Sequence, residues 1–246
     1  MNLRRDCCLR IKLCMYKLKL LSFRNILLVI CLLPISIRAQ KTPELVQRFQ
    51  LCKALAEQGS VNPQARLGAY YFSGLGVDRD VAMAAYWWRK AAEQGSRGAQ
   101  YGLGLCYANG EGVTKDDAQA VVWYLKAADQ GDAAAQCQLG LHYGYGRGVE
   151  EDDKKSAYWF QQAAEQGYSQ AQLFLSVHCL LGRGVKKDEA EAYAWVKLAA
   201  ATNEEARTEL KRMEQEIKPE VLMRGRQRSL ILQAQIDASK AARMKK

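Results

Sequence analysis

Residues 96–131 read SRGAQYGLGLCYANGEGVTKDDAQAVVWYLKAADQG, and this stretch decides the fold because it returns, with drift, three more times. The Gly-Val pair at Gly112 recurs at Gly76, Gly148 and Gly184, always 36 residues apart. Gly74, Gly110, Gly146 and Gly182 keep the same step, as do Asp80, Asp116, Asp152 and Asp188, and Trp87, Trp123, Trp159 and Trp195. An Ala-Ala pair at Ala91, Ala127, Ala163 and Ala199 closes each unit. Self-similarity at a fixed period of this size is the mark of a repeat architecture. The units are 60–95, 96–131, 132–167 and 168–203.

Each unit reads as two helices. The first, for example from Pro63 to Ser73, stops at Gly74, and the Gly-x-Gly-Val turn supplies backbone positions where a positive φ costs a glycine nothing. Asp80 then stands where an N-cap belongs, its carboxylate able to accept from the free amides of the next helix. The second helix runs to about Gln94 before Gly95. Its Ala84, Trp87 and Ala91 fall on one stripe, which makes the recurring tryptophan the expected core anchor.

These residues resemble the Sel-like repeat family, relatives of the tetratricopeptide repeats. The Ala-Gln-x-x-Leu-Gly-x-x-Tyr opening stands at Ala99–Tyr107 and Ala135–Tyr143, followed by Gly-x-Gly-Val, Asp, Trp and the alanine pair. The fourth unit departs at Ser176, Cys179 and Leu198. The resemblance implies an all-α solenoid, a superhelix of helical hairpins whose concave groove binds a protein or peptide, often as an adaptor or regulator in bacterial envelopes.

The flanks complete the organisation. Residues 40–59 contain Pro43–Glu57, which fits the second helix of an incomplete preceding unit and so an N-terminal cap. Residues 204–246 hold two C-terminal capping helices, one from Glu204 to Ile217 and one opening at Pro219, with a last stretch expected to fray. Residues 1–39 carry the apolar run ILLVICLLPI, Ile26–Ile35, behind several basic residues and ahead of Ala39-Gln40, the pattern of a secretory signal peptide. The expected location is therefore the periplasm or outside the cell.

The formal charge of +10 is mostly leader. Residues 1–39 hold eight Lys or Arg and one Asp, so the remainder carries 28 basic and 25 acidic residues. A nucleic-acid partner has no support in that balance. The surplus that remains lies in the tail, where Arg224, Arg226, Arg228, Lys240, Arg243, Lys245 and Lys246 face Asp237 alone. Such a tail is a candidate for weak contact with an anionic membrane surface, against the simpler reading of a solvated helix.

Comparing the units separates constant from drifting positions. Gln64, Leu67 and Tyr71 recur as scaffold. The positions of Arg66, Tyr70 and Ser73 become Gly102, Cys106 and Asn109, then Gln138, His142 and Tyr145, then Phe174, His178 and Leu181. Their i, i+4, i+7 spacing puts them on one helical face. The expected partner-binding groove comprises Arg66, Tyr70, Asn109, Gln138, His142, Tyr145, Phe174 and His178, since aromatic and Arg side chains dominate binding energies. The plain alternative is solvent exposure without function.

No catalytic residue, metal or cofactor is expected. The sequence lacks H-E-x-x-H, Walker A and G-x-S-x-G patterns, and its Gly-x-Gly follows a helix rather than a strand. His142 and His178, one repeat apart, read as polar surface positions rather than as metal ligands with Cys106. Cysteine-rich members of the family have been linked to β-lactamase activity, and a hydrolase of that kind is the enzymatic alternative. Ala92 and Ala99 stand where those relatives carry a cysteine pair, and no S-x-x-K or K-T-G follows the leader. Cys52, Cys106, Cys137 and Cys179 are expected as free thiols, and the protein as a monomer.

Overall fold

The computed structural model describes residues 42–244, which form eleven helices and no strand. The secretory leader expected over residues 1–39 lies outside the described residues. The cap helix is α1 (Pro43–Glu57). The four units follow as α2 (Val61–Ser73) with α3 (Val81–Glu93), α4 (Arg97–Asn109) with α5 (Asp117–Asp129), α6 (Ala133–Tyr145) with α7 (Asp153–Ala164), and α8 (Ser169–Leu181) with α9 (Glu189–Ala199). Helices α10 (Glu204–Glu216) and α11 (Pro219–Met244) close the array. The chain is an all-α solenoid in which α1 to α9 each pack on their neighbours in sequence, while α10 and α11 both pack on α9.

Local chemistry sets the boundaries. Asp80, Asp116, Asp152 and Asp188 each accept from an amide of the first turn of α3, α5, α7 and α9. Each cap of this kind contributes about 1 kcal/mol. Gly74, Gly110, Gly146 and Gly182 end the first helices in the left-handed region. The second glycine of each turn has a further duty. At Gly148, φ +68°, an added Cβ would stand 2.3 Å from the Asp117 carbonyl carbon at the start of the preceding unit's second helix. Gly76, Gly112 and Gly184 meet Leu45, Val81 and Asp153 in the same way. The turn of one unit thus rests on the N-terminus of the second helix before it.

The opposite end of that helix is held by glutamine. Buried Gln64, Gln100, Gln136 and Gln172 donate through Nε2 to the carbonyls of Ala56, Ala92, Ala128 and Ala164, at 3.1 to 3.2 Å. Gln94, Gln130 and Gln166 in turn donate to the Oε1 of Gln64, Gln100 and Gln136 at 2.6 to 2.7 Å. The amides of Gln64, Gln100 and Gln136 are therefore satisfied on both sides.

The recurring tryptophan is only part of the core. Trp87 and Trp195 are buried, but Trp123 and Trp159 are half-exposed, each lying against the preceding unit. From the second unit on, the deeper side chain is the next residue, Tyr124, Phe160 or Val196, which turns inward toward the first helices; in the first unit Trp87 and Trp88 are both buried. Gly68, Gly104 and Gly140 make room for Trp88, Tyr124 and Phe160; at Gly104 and Gly140 an added Cβ would lie 2.6 Å from the ring. In the fourth unit the ring gives way to Val196, and Ser176 stands where the others have glycine. The smaller partner explains that departure.

Helix α11 continues to Met244 and packs along α9, with Gly225 against Tyr193 and with Leu232 and Ile236 buried, its residues beyond Ile236 being exposed. Arg228 reaches the Glu191 carboxylate at 2.6 Å.

The two kinds of glycine respond oppositely to alanine. Gly98, helical with open space around it, gains about 1 kcal/mol of stability as Gly98→Ala. Gly148→Ala loses at least about 1 to 2 kcal/mol from its left-handed backbone, before the clash with Asp117 is counted. Urea denaturation followed by circular dichroism checks both signs.

Candidate functional site

The first helices form one face of the array, and the structure divides the eight residues expected to line it. Arg66 and Asn109 are exposed, and Tyr145 is 41% exposed with Arg147 over its ring. Gln138 is half-buried. Tyr70 is half-buried with its ring edge-on to Phe49. Phe174 lies against Phe160, ring centroids 5.1 Å apart. His142 and His178 are 4% and 7% exposed, so the expectation that they meet a partner is corrected. Each ring packs on the preceding unit's aromatic, His142 on Tyr124 and His178 on Phe160.

Drift at these positions therefore has a cause that neither a groove nor idle surface supplies. The position of Arg66 opposes the inward residue of the unit before it. Large Trp88 meets Gly102, whose added Cβ would lie 2.8 Å from the indole, whereas Phe160 meets Phe174. The two sites vary together to fill one volume. What remains open on this face is a strip carrying Arg66, Asn109 and Tyr145 beside half-buried Leu105, Leu141 and Val177. That aliphatic series was visible at the 36-residue period but was hidden by attention to what changes rather than what stays apolar.

The remaining chemistry is quiet. Among the described residues Cys52, Cys106, Cys137 and Cys179 are buried and free. Burial pushes the thiols of Cys106, Cys137 and Cys179 up to about 12, which disfavours the reactive thiolate near neutral pH. Among the described residues no group of three His, Cys, Asp or Glu side chains is placed to hold a metal. No described helix is long and apolar enough to cross a membrane. Of the three arginines early in the tail, Arg226 lies 3.7 Å from Glu214 and Arg228 is paired with Glu191, which leaves Arg224 as the exposed one without such an ion pair among the described residues.

Stacked two-helix units with a continuous open strip define a repeat scaffold. The Sel1 repeat profile matches residues 64–96, 98–132, 133–168 and 169–201, more than half of the chain, and the chain belongs to this family. Among solved structures it is similar to c5321, a protective antigen of uropathogenic Escherichia coli strains with an SLR fold, at 38% identity and TM-score 0.67 over 78% of this chain and 41% of that one. It is similar also to a Sel1 repeat protein from Oxalobacter formigenes, at 36% identity and TM-score 0.60 over 63% of this chain and 62% of that one. The chain thus spans less than two thirds of either protein. No curated protein matches.

The two histidines, lost to the surface, define a titration. Nδ1 of His142 lies 2.9 Å from the Arg147 carbonyl, and Nδ1 of His178 lies 2.7 Å from that of Arg183. A carbonyl only accepts, so Nδ1 carries the proton in both rings. Burial, the largest influence, holds both below the ordinary histidine value, partly offset by the hydrogen bond to the carbonyl. A lowered folded value means that the unfolded chain binds the extra proton first. The stability contributed is complete above the ordinary value of about 6.5 and is lost as pH falls through and below it. Urea midpoints are expected to drop between about pH 6.5 and 5, and to drop less in the His142→Gln, His178→Gln double variant.

Proposed function

We propose that the protein is an exported scaffold, working in the periplasm or outside the cell, that holds a protein or peptide along its first-helix face as an adaptor or regulator. The single observation that carries this reading is the open strip itself. Leu105, Leu141 and Val177 repeat at the 36-residue step through the second, third and fourth units and stay half-exposed, while the polar and aromatic side chains of Arg66, Asn109 and Tyr145 border them. An extended segment or helix laid across the units buries apolar surface at each step and meets an exposed arginine and tyrosine, side chains that commonly dominate interface energies. Membership of the Sel1 repeat family supports a binding role, and the apolar leader of residues 26–35 supports export. The buried thiols and the histidines committed to turn carbonyls lend a hydrolytic reading no support.

A peptide selected from a displayed random library against the wild-type protein supplies the probe. Arg66→Ala with Tyr145→Ala, both exposed, is expected to weaken its binding at least about tenfold, the effect of losing one good anchor, with the melting temperature nearly unchanged. His142→Gln, which alters a buried ring, lowers stability and leaves affinity in place. An affinity indifferent to the double variant sinks the assignment.

A further inference from the structure

The second-helix face carries a crevice of about 380 Å³ that owes its shape to the tail. Its floor is the paired rings of Tyr158 and Trp159, 5.1 Å apart and edge-on, with Tyr158 54% exposed. Its walls carry Asp129 at the end of α5 and Glu165 just past the end of α7, so two negative helix ends add to two carboxylates. Among the described residues neither carboxylate is in an ion pair; Glu165 accepts only from the Gln161 amide, at 2.8 Å. The roof is the last turns of α11, from which Arg243 hangs into the rim and donates to Gln166 Oε1 at 2.6 Å. Arg243 is thus a cation held by a neutral amide beside carboxylates that have no cation of their own.

We infer that this crevice is a receptor for a cationic side chain of a basic peptide, an arginine guanidinium or lysine ammonium, and that Arg243 of the chain's own tail partly occupies it. Acidic groups, helix C-termini and aromatic faces all favour a positive group, and the rings add cation–π attraction. The same chain already shows the pairing elsewhere: Lys126 Nζ stands 4.0 Å over the Trp123 ring and Lys155 Nζ 5.3 Å over the Tyr143 ring. In the fourth unit the outward face equivalent to Tyr158 is Ala194, fully buried beside the tail, so α11 seals that unit and leaves the third open at its edge. The crevice lies on the opposite helices from the strip of Leu105 and Leu141, and it stands or falls independently of that strip.

The probe is a labelled peptide of residues 233–246, QAQIDASKAARMKK, titrated by fluorescence anisotropy against the full chain, with an analogue bearing Gln at its four basic positions as control. Arg243→Gln, which removes the resident cation, is expected to bind the basic peptide about fivefold tighter than wild type and the control not at all. Adding Asp129→Asn and Glu165→Gln to that variant is expected to weaken binding at least about tenfold, the loss typical of a close charge pair. Arg66→Ala with Tyr145→Ala is expected to change nothing. Three results overturn the inference: no binding by Arg243→Gln, binding indifferent to the two carboxylates, or binding lost with the Arg66 and Tyr145 pair, which moves the peptide to the other face.

Discussion

The array depends on the pinning of the cap helix and of the second helices of the first three units, α1, α3, α5 and α7, at both ends by the unit that follows. At the C-terminal end of such a second helix the carbonyl of the alanine pair's second member accepts from the turn glycine and also from a buried glutamine amide of the next first helix. At its N-terminal end the next turn comes so close that only glycine fits between the backbones. Neither contact tolerates a register slip. A shift of one residue would leave the buried amide facing no acceptor, at a cost of about 1 to 3 kcal/mol for each group so stranded. The 36-residue period follows from these two fixed points, and the hydrophobic filling between them is free to vary.

That freedom explains which parts of the architecture were legible in the sequence. Glycines with positive φ, the N-cap aspartates and the alanine pairs each answer a local demand, so they recur unchanged and announce the helices and their ends. The long-range demands are harder to read. Trp87 and its equivalents recur more faithfully than Trp88, Tyr124, Phe160 and Val196, yet from the second unit on the latter lie deeper, because identity tracks the shape of a seat and not the depth of burial. The drifting positions misled for the same reason. Gly102 and Phe174 vary because their opposite numbers, Trp88 and Phe160, vary, and the compensation crosses from one unit to the next, where comparison of equivalent positions does not look.

The site suffered most from this. A position that changes from tyrosine to cysteine to histidine looks like surface, and histidine has the chemistry of a contact residue. Burial against an aromatic ring, with Nδ1 committed to the carbonyl of the Gly-x-Gly turn, makes His142 and His178 part of the joint between units instead. Asn109 and Tyr145 kept their expected exposure because their side chains leave the helix outside the volume shared by adjacent units, and Arg66 is exposed although its position is the one that Gly102 and Phe174 fill in later units.

The two ends of the solenoid meet the demand for closure in different ways. Helix α1 repeats the second-helix register with Leu51 where Trp87 stands, and that leucine is 63% exposed among polar neighbours such as Gln47, Arg48 and Gln50. A smaller apolar residue there lessens the surface left open where the preceding unit is incomplete. At the other end a single long helix lies over α9, and closure is bought with an extra element rather than with substitutions. Because α11 is longer than α9, 26 residues against 11, it overshoots the unit it seals and reaches the end of α7. The overshoot is what places Arg243 beside Tyr158 and the unpaired carboxylates.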